Sequence, residues 1–413
     1  MKNNNSRRKF IKDSAKVVGG IAGGMALAGV AGTNLNANQT KLDSKNLRAL
    51  NLQEVSEGKR ITSSGFAAFG PKYELKAHSF TRHPVGDNDI LIEILYAGIC
   101  HSDLHTVLGD HGEAKYPMVP GHEIAGVVTA VGKNVSKFKV GDYAGVGCMV
   151  NSCGECEMCK NGEQQFCQNA KTVFTYNSND VFHGGENTMG GYSNNIVLSE
   201  KFAIKVPQNA KIERVAPLLC AGVTTFAPIK YSKVKRGQKV AVAGFGGLGH
   251  MAVKYMISLG AEVSVFDTTD DKRKAAQKMG VKRYFNVNKP KDFENLSSEF
   301  DFIISTIPYK YDINMYQKML KLDGEMAIVG LPSHADNPSL DGNTTIWNFR
   351  RKIYSSLIGG VEITQEMIDY SIANNIYPDV EVIKATSSEI NKAYQRVAKG
   401  EVQFRYVIDM KTL

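Results

Sequence analysis

The 413-residue sequence lacks an apolar run long enough to cross a membrane. The mildly apolar stretch 17–32 is too short and too rich in glycine for a stable spanning helix. Also missing is a basic stripe interleaved with aromatics, the footprint of a nucleic-acid surface. The formal net charge of +9 does not supply one. Lys2, Arg7, Arg8, Lys9, Lys12 and Lys16 face Asp13 alone in residues 1–40, so more than half of the excess sits there. A small-molecule partner is expected, and no nucleic acid. Apolar residues are not scarce: 43% apolar and 22% charged suit a soluble globular chain. The length exceeds one ordinary domain, so two are expected.

The N-terminus reads Ser6-Arg7-Arg8-Lys9-Phe10-Ile11-Lys12, followed by the glycine- and alanine-rich stretch and then Leu35-Asn36-Ala37. A charged start, an apolar middle and a small-residue exit follow the order of an export leader. The first part resembles the twin-arginine signal. Residues 1–37 are expected to be removed on export to the periplasm, with no stable membrane insertion afterwards. If the signal is unused, the protein stays in the cytoplasm. The polar residues 38–60 read as a linker. The twin-arginine route carries folded proteins, so thiolates can take up metal before reaching a compartment that favours disulfides.

Seven cysteines are present. Four are clustered as Cys153-Gly-Glu-Cys156-Glu-Met-Cys159 and Cys167. Four thiolates can close a tetrahedral zinc site, and a closed site reads as structural. Two unstrained disulfides are hard to fit into so short a loop. Cys148 has no evident partner and reads as a small buried residue. Cys100 and Cys220 are unremarkable alone, but Gly121-His122-Glu123 lies between them. Two thiolates and one imidazole make three ligands and leave a fourth position open, the pattern of a catalytic zinc.

Gly98-Ile99-Cys100-His101-Ser102-Asp103-Leu104-His105, Pro120-Gly121-His122-Glu123, the four-cysteine lobe and Cys220-Ala221-Gly222-Val223-Thr224-Thr225 occur in that order. From about residue 60 onward the chain resembles the cinnamyl-alcohol-dehydrogenase branch of the zinc-dependent medium-chain alcohol dehydrogenases, for which a two-cysteine, one-histidine zinc is on record. The resemblance implies two zinc ions per chain, a homodimer, and hydride transfer between a primary alcohol or aldehyde, aromatic ones included, and NAD(P). It makes Cys100, His122 and Cys220 the catalytic ligands. Glu123 becomes either an occasional fourth ligand or a carboxylate that only tunes the metal. Asp103 orients His122. Ser102 bonds the substrate oxygen, and a relay through a cofactor ribose ends on His105, a group able to titrate near neutrality. His101 falls where the family contacts cofactor phosphate. Trp347, Ile346 and Leu357 are pocket candidates by position. Alternatives are an exported polyol or formaldehyde dehydrogenase, or a non-catalytic zinc- and cofactor-binding protein.

The apolar run Lys239-Val-Ala-Val-Ala243 reads as a strand, and Gly244-Phe245-Gly246-Gly247-Leu248-Gly249 follows at once. Placed between a strand and a helix, with an acid about twenty residues on, this pattern reads as a dinucleotide turn. The acid is Asp267, which suits the ribose 2′-hydroxyl of NAD. Thr268, Thr269, Lys272 and Arg273 follow it and suit the extra phosphate of NADP, so both cofactors stay open. The fold class expected is α/β: a doubly wound parallel Rossmann sheet over 221–357, and a β-rich, GroES-like catalytic domain over 61–220 completed by 358–413.

Overall fold

The computed structural model describes residues 44–413, apart from 334–338, 343–346, 348–349 and 402–403. The leader expected at 1–37 lies outside the described residues. So does Ile346.

Part of the segment read as a linker is instead a helix, Ser44–Ser56. Leu47, Asn51 and Glu54 face inward, at helical spacing. Two of these three are polar, so no apolar periodicity marks the helix in the sequence. Hydrogen bonds hold that face in place. Glu54 accepts from the Thr62 amide at 2.8 Å, and the Asn51 amide donates to the Thr62 carbonyl at 2.9 Å. The helix is thereby tied to the strand Ile61–Ala68.

The catalytic half is built on the strand Asp89–Ile99. Ile124–Val131 pairs with one edge of it. Asn195–Ser199 and the C-terminal strand Arg405–Asp409 share the other edge, with Tyr406 opposite Ile99. The chain therefore comes back after the nucleotide-binding half to finish the first sheet. This places Arg405 beside the end of the strand that delivers Cys100.

The second half carries six parallel strands in the order Arg283–Asn286, Glu262–Asp267, Lys239–Ala243, Phe300–Ser305, Leu320–Ile328, Lys352–Ser355. Inner runs such as Val240–Ala243 are buried throughout, as expected for strands covered on both faces. From Lys239–Ala243 the chain winds outward first one way and then the other. The switch between the two directions lies between the carboxyl ends of Lys239–Ala243 and Phe300–Ser305, where such sheets bind their ligands. Both the β-rich half and the parallel sheet match the expected fold class. Among the described residues, no single helix is long and apolar enough to cross a membrane.

Candidate active site

Cys100 ends the central strand and opens the helix His101–Leu108. His122 and Glu123 directly precede the strand Ile124–Val131, and Cys220 opens the helix Ala221–Tyr231. Three separate chain turns thus converge. All four side chains are buried, with ligand atoms within 4.8 Å of one another. The two sulfurs are 3.8 Å apart, and His122 Nε2 lies 3.3 Å from Cys220 Sγ. Cys100 is held well below the usual thiol range, first by its contact with Cys220 and then by Arg405. Cys220 is pushed up by the same contact and by Cys148. The two sulfurs titrate as one pair.

Asp103 holds this cluster in shape from a fully buried position. One carboxylate oxygen accepts from His122 Nδ1 at 3.0 Å and from the Gly121 amide at 3.2 Å. The other accepts from the Cys100 amide at 2.9 Å and the Tyr192 hydroxyl at 2.8 Å. With Nδ1 donating, Nε2 turns its lone pair toward the sulfurs, as a metal-ligating histidine must. Burial disfavours the charged ring, but Asp103 and Cys148 outweigh it and raise the His122 pKa.

Glu123 is fully buried, and burial pushes its carboxyl up to about 8 despite Arg405. Arg405 Nη2 lies 3.4 Å from Glu123 Oε1, near enough for attraction. Neither Glu123 oxygen has an aligned hydrogen-bond partner among the described residues. Two thiols, an imidazole lone pair and a carboxylate with open acceptors fit a zinc ion well.

Ser102 and His105 project from the helix that Cys100 opens. Ser102 Oγ lies 3.7 Å from Cys100 Sγ. His105 Nδ1 lies 2.8 Å from the Asp110 carboxylate, so Nδ1 carries the proton. His105 Nε2 is buried with no partner among the described residues. The Tyr309 hydroxyl is 3.2 Å from His101 Nε2. That contact joins the catalytic helix to the loop after strand Phe300–Ser305.

The second cysteine cluster forms a separate lobe. Cys153, Cys156, Cys159 and Cys167 present sulfurs within 4.8 Å of one another. All seven cysteines are free. Gly154 turns the chain with φ +68°, and Cys156 opens the short helix that carries Cys159. Four thiols so arranged fit a closed tetrahedral zinc site.

The glycine turn sits at the switch point between strands. Gly244 has φ +90°, and a Cβ at Gly249 would lie 2.0 Å from the Gly244 carbonyl oxygen. A Cβ at Gly246 would meet nothing within 4 Å, so that side of the turn is open for a pyrophosphate at the start of helix Gly247–Ser258. Leu248 lies in that helix's first turn. A Cβ at Gly247 would come within 3.1 Å of the Arg405 guanidinium. Arg405 therefore touches both the glycine turn and Glu123, and the two candidate sites are one.

Residues 86–208 match the alcohol dehydrogenase GroES-like domain, and residues 247–372 match the zinc-binding dehydrogenase domain. The probable formaldehyde dehydrogenase AdhA of Bacillus subtilis (strain 168) is 43% identical over 342 residues, 83% of this chain and 96% of that one. The NADP-dependent alcohol dehydrogenase C 1 of Mycolicibacterium smegmatis is 42% identical over 352 residues, 85% of this chain and 99% of its own length. The crystal structure of CAD from Helicobacter pylori complexed with NADP(H) is 52% identical, with TM-score 0.81 over 85% of this chain and 99% of that one.

The chain belongs to the zinc-dependent medium-chain alcohol dehydrogenases.

In this dehydrogenase the acid at the end of the second Rossmann strand is engaged by its own neighbours. The Thr268 amide donates to Asp267 at 2.7 Å, and the Tyr284 hydroxyl lies 3.4 Å away. Tyr284 also donates to the Thr269 carbonyl at 2.9 Å. Lys272 Nζ reaches the Phe245 carbonyl at 3.2 Å and so stands over the glycine turn. Arg273 is occupied elsewhere, by Asp270 and by the Tyr284 carbonyl at 2.6 Å. Of the basic pair expected near the ribose, Lys272 alone faces the turn.

Several site residues escaped the sequence reading. Asp110 has a local signal, an acid five residues after His105. Tyr192, Tyr309 and Arg405 have none, because the fold brings them in from distant elements. Cys148 is not an isolated buried thiol: it is half-buried and hydrogen-bonded to Cys220, a contact that lowers the Cys148 thiol and pushes Cys220 up. Trp347 is 79% exposed and Leu357 42% exposed, so neither is buried in the core. The adjacent Ile358 instead lines a small cavity with Cys148, Leu219 and Val223.

Proposed function

We propose that this enzyme interconverts a primary alcohol and its aldehyde, with an aromatic side chain preferred and NADP(H) as hydride carrier. The observation that carries the proposal is Arg405, which joins the buried donor set of Cys100, His122, Glu123 and Cys220 to the glycine turn. Reacting carbon and hydride carrier are thereby brought to one place. Zinc and NADP(H), when bound, supply a Lewis acid for the substrate oxygen and a hydride acceptor or donor for its carbon.

The chain's own residues do the rest. Cys100, His122 and Cys220 hold the metal, with Glu123 close enough to exchange in. Asp103 fixes the ring of His122. The Ser102 hydroxyl takes up the proton that an alcohol gives up as it passes its own proton on, and the lone pair on His105 Nε2 is where that relay ends. Asp110 offsets the positive charge that His105 then carries. The four-cysteine lobe holds a second, structural zinc.

NADP(H) is favoured over NAD(H) by the relatives named for it, and by Lys272 over the turn while Asp267 is bonded to its own backbone. An NAD reading rests on the same Asp267 carboxylate, so cofactor choice needs a direct test. Initial rates with NADPH and NADH against cinnamaldehyde, benzaldehyde, hexanal and formaldehyde provide it. The proposal expects higher kcat/KM with NADPH and with the aromatic aldehydes. Turnover of formaldehyde alone, or of none, would refute it.

The working location is proposed from Ser6-Arg7-Arg8-Lys9-Phe10 to be outside the cytoplasm, by twin-arginine export of a folded, metal-loaded homodimer. Cell fractionation with an Arg7→Lys, Arg8→Lys variant tests the route. Light scattering on the purified enzyme tests the assembly.

A further inference from the structure

We propose that His83, Asp180 and His183 form a third metal site, for a divalent first-row ion of the zinc class. His83 follows the strand Leu75–Arg82. Asp180 and His183 lie on the hairpin made by Asn179–Asp180 and Glu186–Asn187. These elements contribute nothing to the other two clusters. One ring nitrogen from each histidine and a carboxylate oxygen of Asp180 lie within 4.8 Å of one another.

The tautomers leave each ring one nitrogen lone pair for a metal. His83 Nδ1 lies 2.9 Å from the Pro84 carbonyl oxygen. A carbonyl only accepts, so Nδ1 holds the proton and Nε2 the lone pair. His183 Nδ1 lies 2.8 Å from the Asp180 carboxylate. The two rings stack in parallel with centroids 3.6 Å apart and an interplanar angle of 4°. Two charged imidazoles at that spacing would repel, so no more than one ring carries a charge; the lone pairs of parallel rings run side by side, so one ring turns out of the stack to share a cation with the other. Asp89 stands by, its carboxylate 3.9 Å from His83 Nδ1.

Both sides of the site are pinned. The buried Arg82 donates to the carbonyls of Met189 and Gly190 at 2.7 and 3.1 Å. Arg60 grips both oxygens of Glu186 on the hairpin, at 2.8 and 2.7 Å. The side chains of His83 and His183 are 16% and 27% exposed, so an ion can reach them and keep water in its remaining positions. Two imidazoles and one carboxylate select zinc-like ions over magnesium or calcium, which prefer all-oxygen sites. Bound there, the ion would tie the hairpin to the edge of the strand Leu75–Arg82.

Equilibrium dialysis of the zinc-loaded enzyme against added Zn²⁺ tests the site. Wild type should take up one further ion per chain. His83→Asn and His183→Asn should each weaken that uptake by at least about tenfold, while aldehyde reduction and thiolate-held zinc stay unchanged. Equal uptake by wild type and both variants would overturn the proposal. Added Co²⁺ on wild-type protein gives a reading independent of variant folding. A visible d–d band without new sulfur-to-metal charge transfer supports an imidazole–carboxylate site, and its absence contradicts one. Neither measurement depends on the identity of the alcohol or the cofactor.

Discussion

Asp103→Asn is the change whose consequence can be followed furthest from the geometry. Four donors converge on the two oxygens of a carboxylate with 0% exposure. An amide keeps the shape and turns one acceptor into a donor. If its nitrogen takes the side facing Gly121 and His122, the ring must move its proton to Nε2, the atom 3.3 Å from Cys220 Sγ. That arrangement removes a metal ligand. If the nitrogen instead faces Cys100 and Tyr192, the tyrosine hydroxyl can rotate to accept, the Cys100 amide loses its partner, and His122 and Gly121 keep theirs. Either arrangement strands one backbone donor at about 1–3 kcal/mol, but only the second leaves His122 its tautomer, so the second arrangement wins and the protein still folds. His122 then keeps its tautomer but loses the negative charge that makes it a good donor. Loss of such a partner weakens metal binding about 10- to 100-fold, or about 1.4–2.8 kcal/mol. Chelator titration with a chromogenic zinc indicator should therefore show one zinc released at lower chelator concentration, with the four-cysteine zinc unmoved. A variant that kept both ions at wild-type affinity, and kept wild-type turnover, would refute this role for Asp103.

Further expectations concern the other parts of the site. Gly246→Ala has room in the structure, so it should keep the thermal midpoint and lose nucleotide affinity by about tenfold or more as its methyl meets the pyrophosphate. Gly249→Ala would drive a methyl into the Gly244 carbonyl, and should lower both midpoint and affinity in a melting and fluorescence-titration pair. His105→Gln should lower kcat by about a hundredfold with KM little changed. In metal-stripped enzyme, burial keeps Glu123 protonated up to about 8. A carboxyl raised in the folded state stabilises at low pH and loses that contribution as pH climbs, so the midpoint should fall between about pH 5 and about pH 9. Glu123→Gln should remove that slope in scanning calorimetry.

What could be read from the sequence was whatever depends on neighbours in the chain. The four-cysteine lobe, the glycine turn and the segments around Cys100, His122 and Cys220 are contiguous, and their spacing constrains the chemistry. Strand Lys239–Ala243 was legible because burial on both faces demands an unbroken apolar run. The helix after the glycine turn begins at Gly247, inside the glycine run, so its first turn carries no apolar pattern to mark it. The helix Ser44–Ser56 was illegible for the opposite reason: Asn51 and Glu54 dock it by hydrogen bonds, so no apolar stripe marks it. Arg405 could not be placed at all, since its role arises only when the last strand returns to pair with Asp89–Ile99. The cofactor choice also lay beyond the local pattern. Asp267 has the right position for NAD, but its contact with Tyr284 depends on three-dimensional packing.

The central claim is that hydride transfer depends on an ion held by Cys100, His122 and Cys220. The most direct test measures NADPH oxidation with cinnamaldehyde and zinc per chain together, in wild type and in Cys100→Ser. The account predicts that the variant keeps the zinc of the four-cysteine lobe, loses the other, and loses nearly all turnover. A Cys100→Ser enzyme that still reduced the aldehyde at the wild-type rate would contradict it.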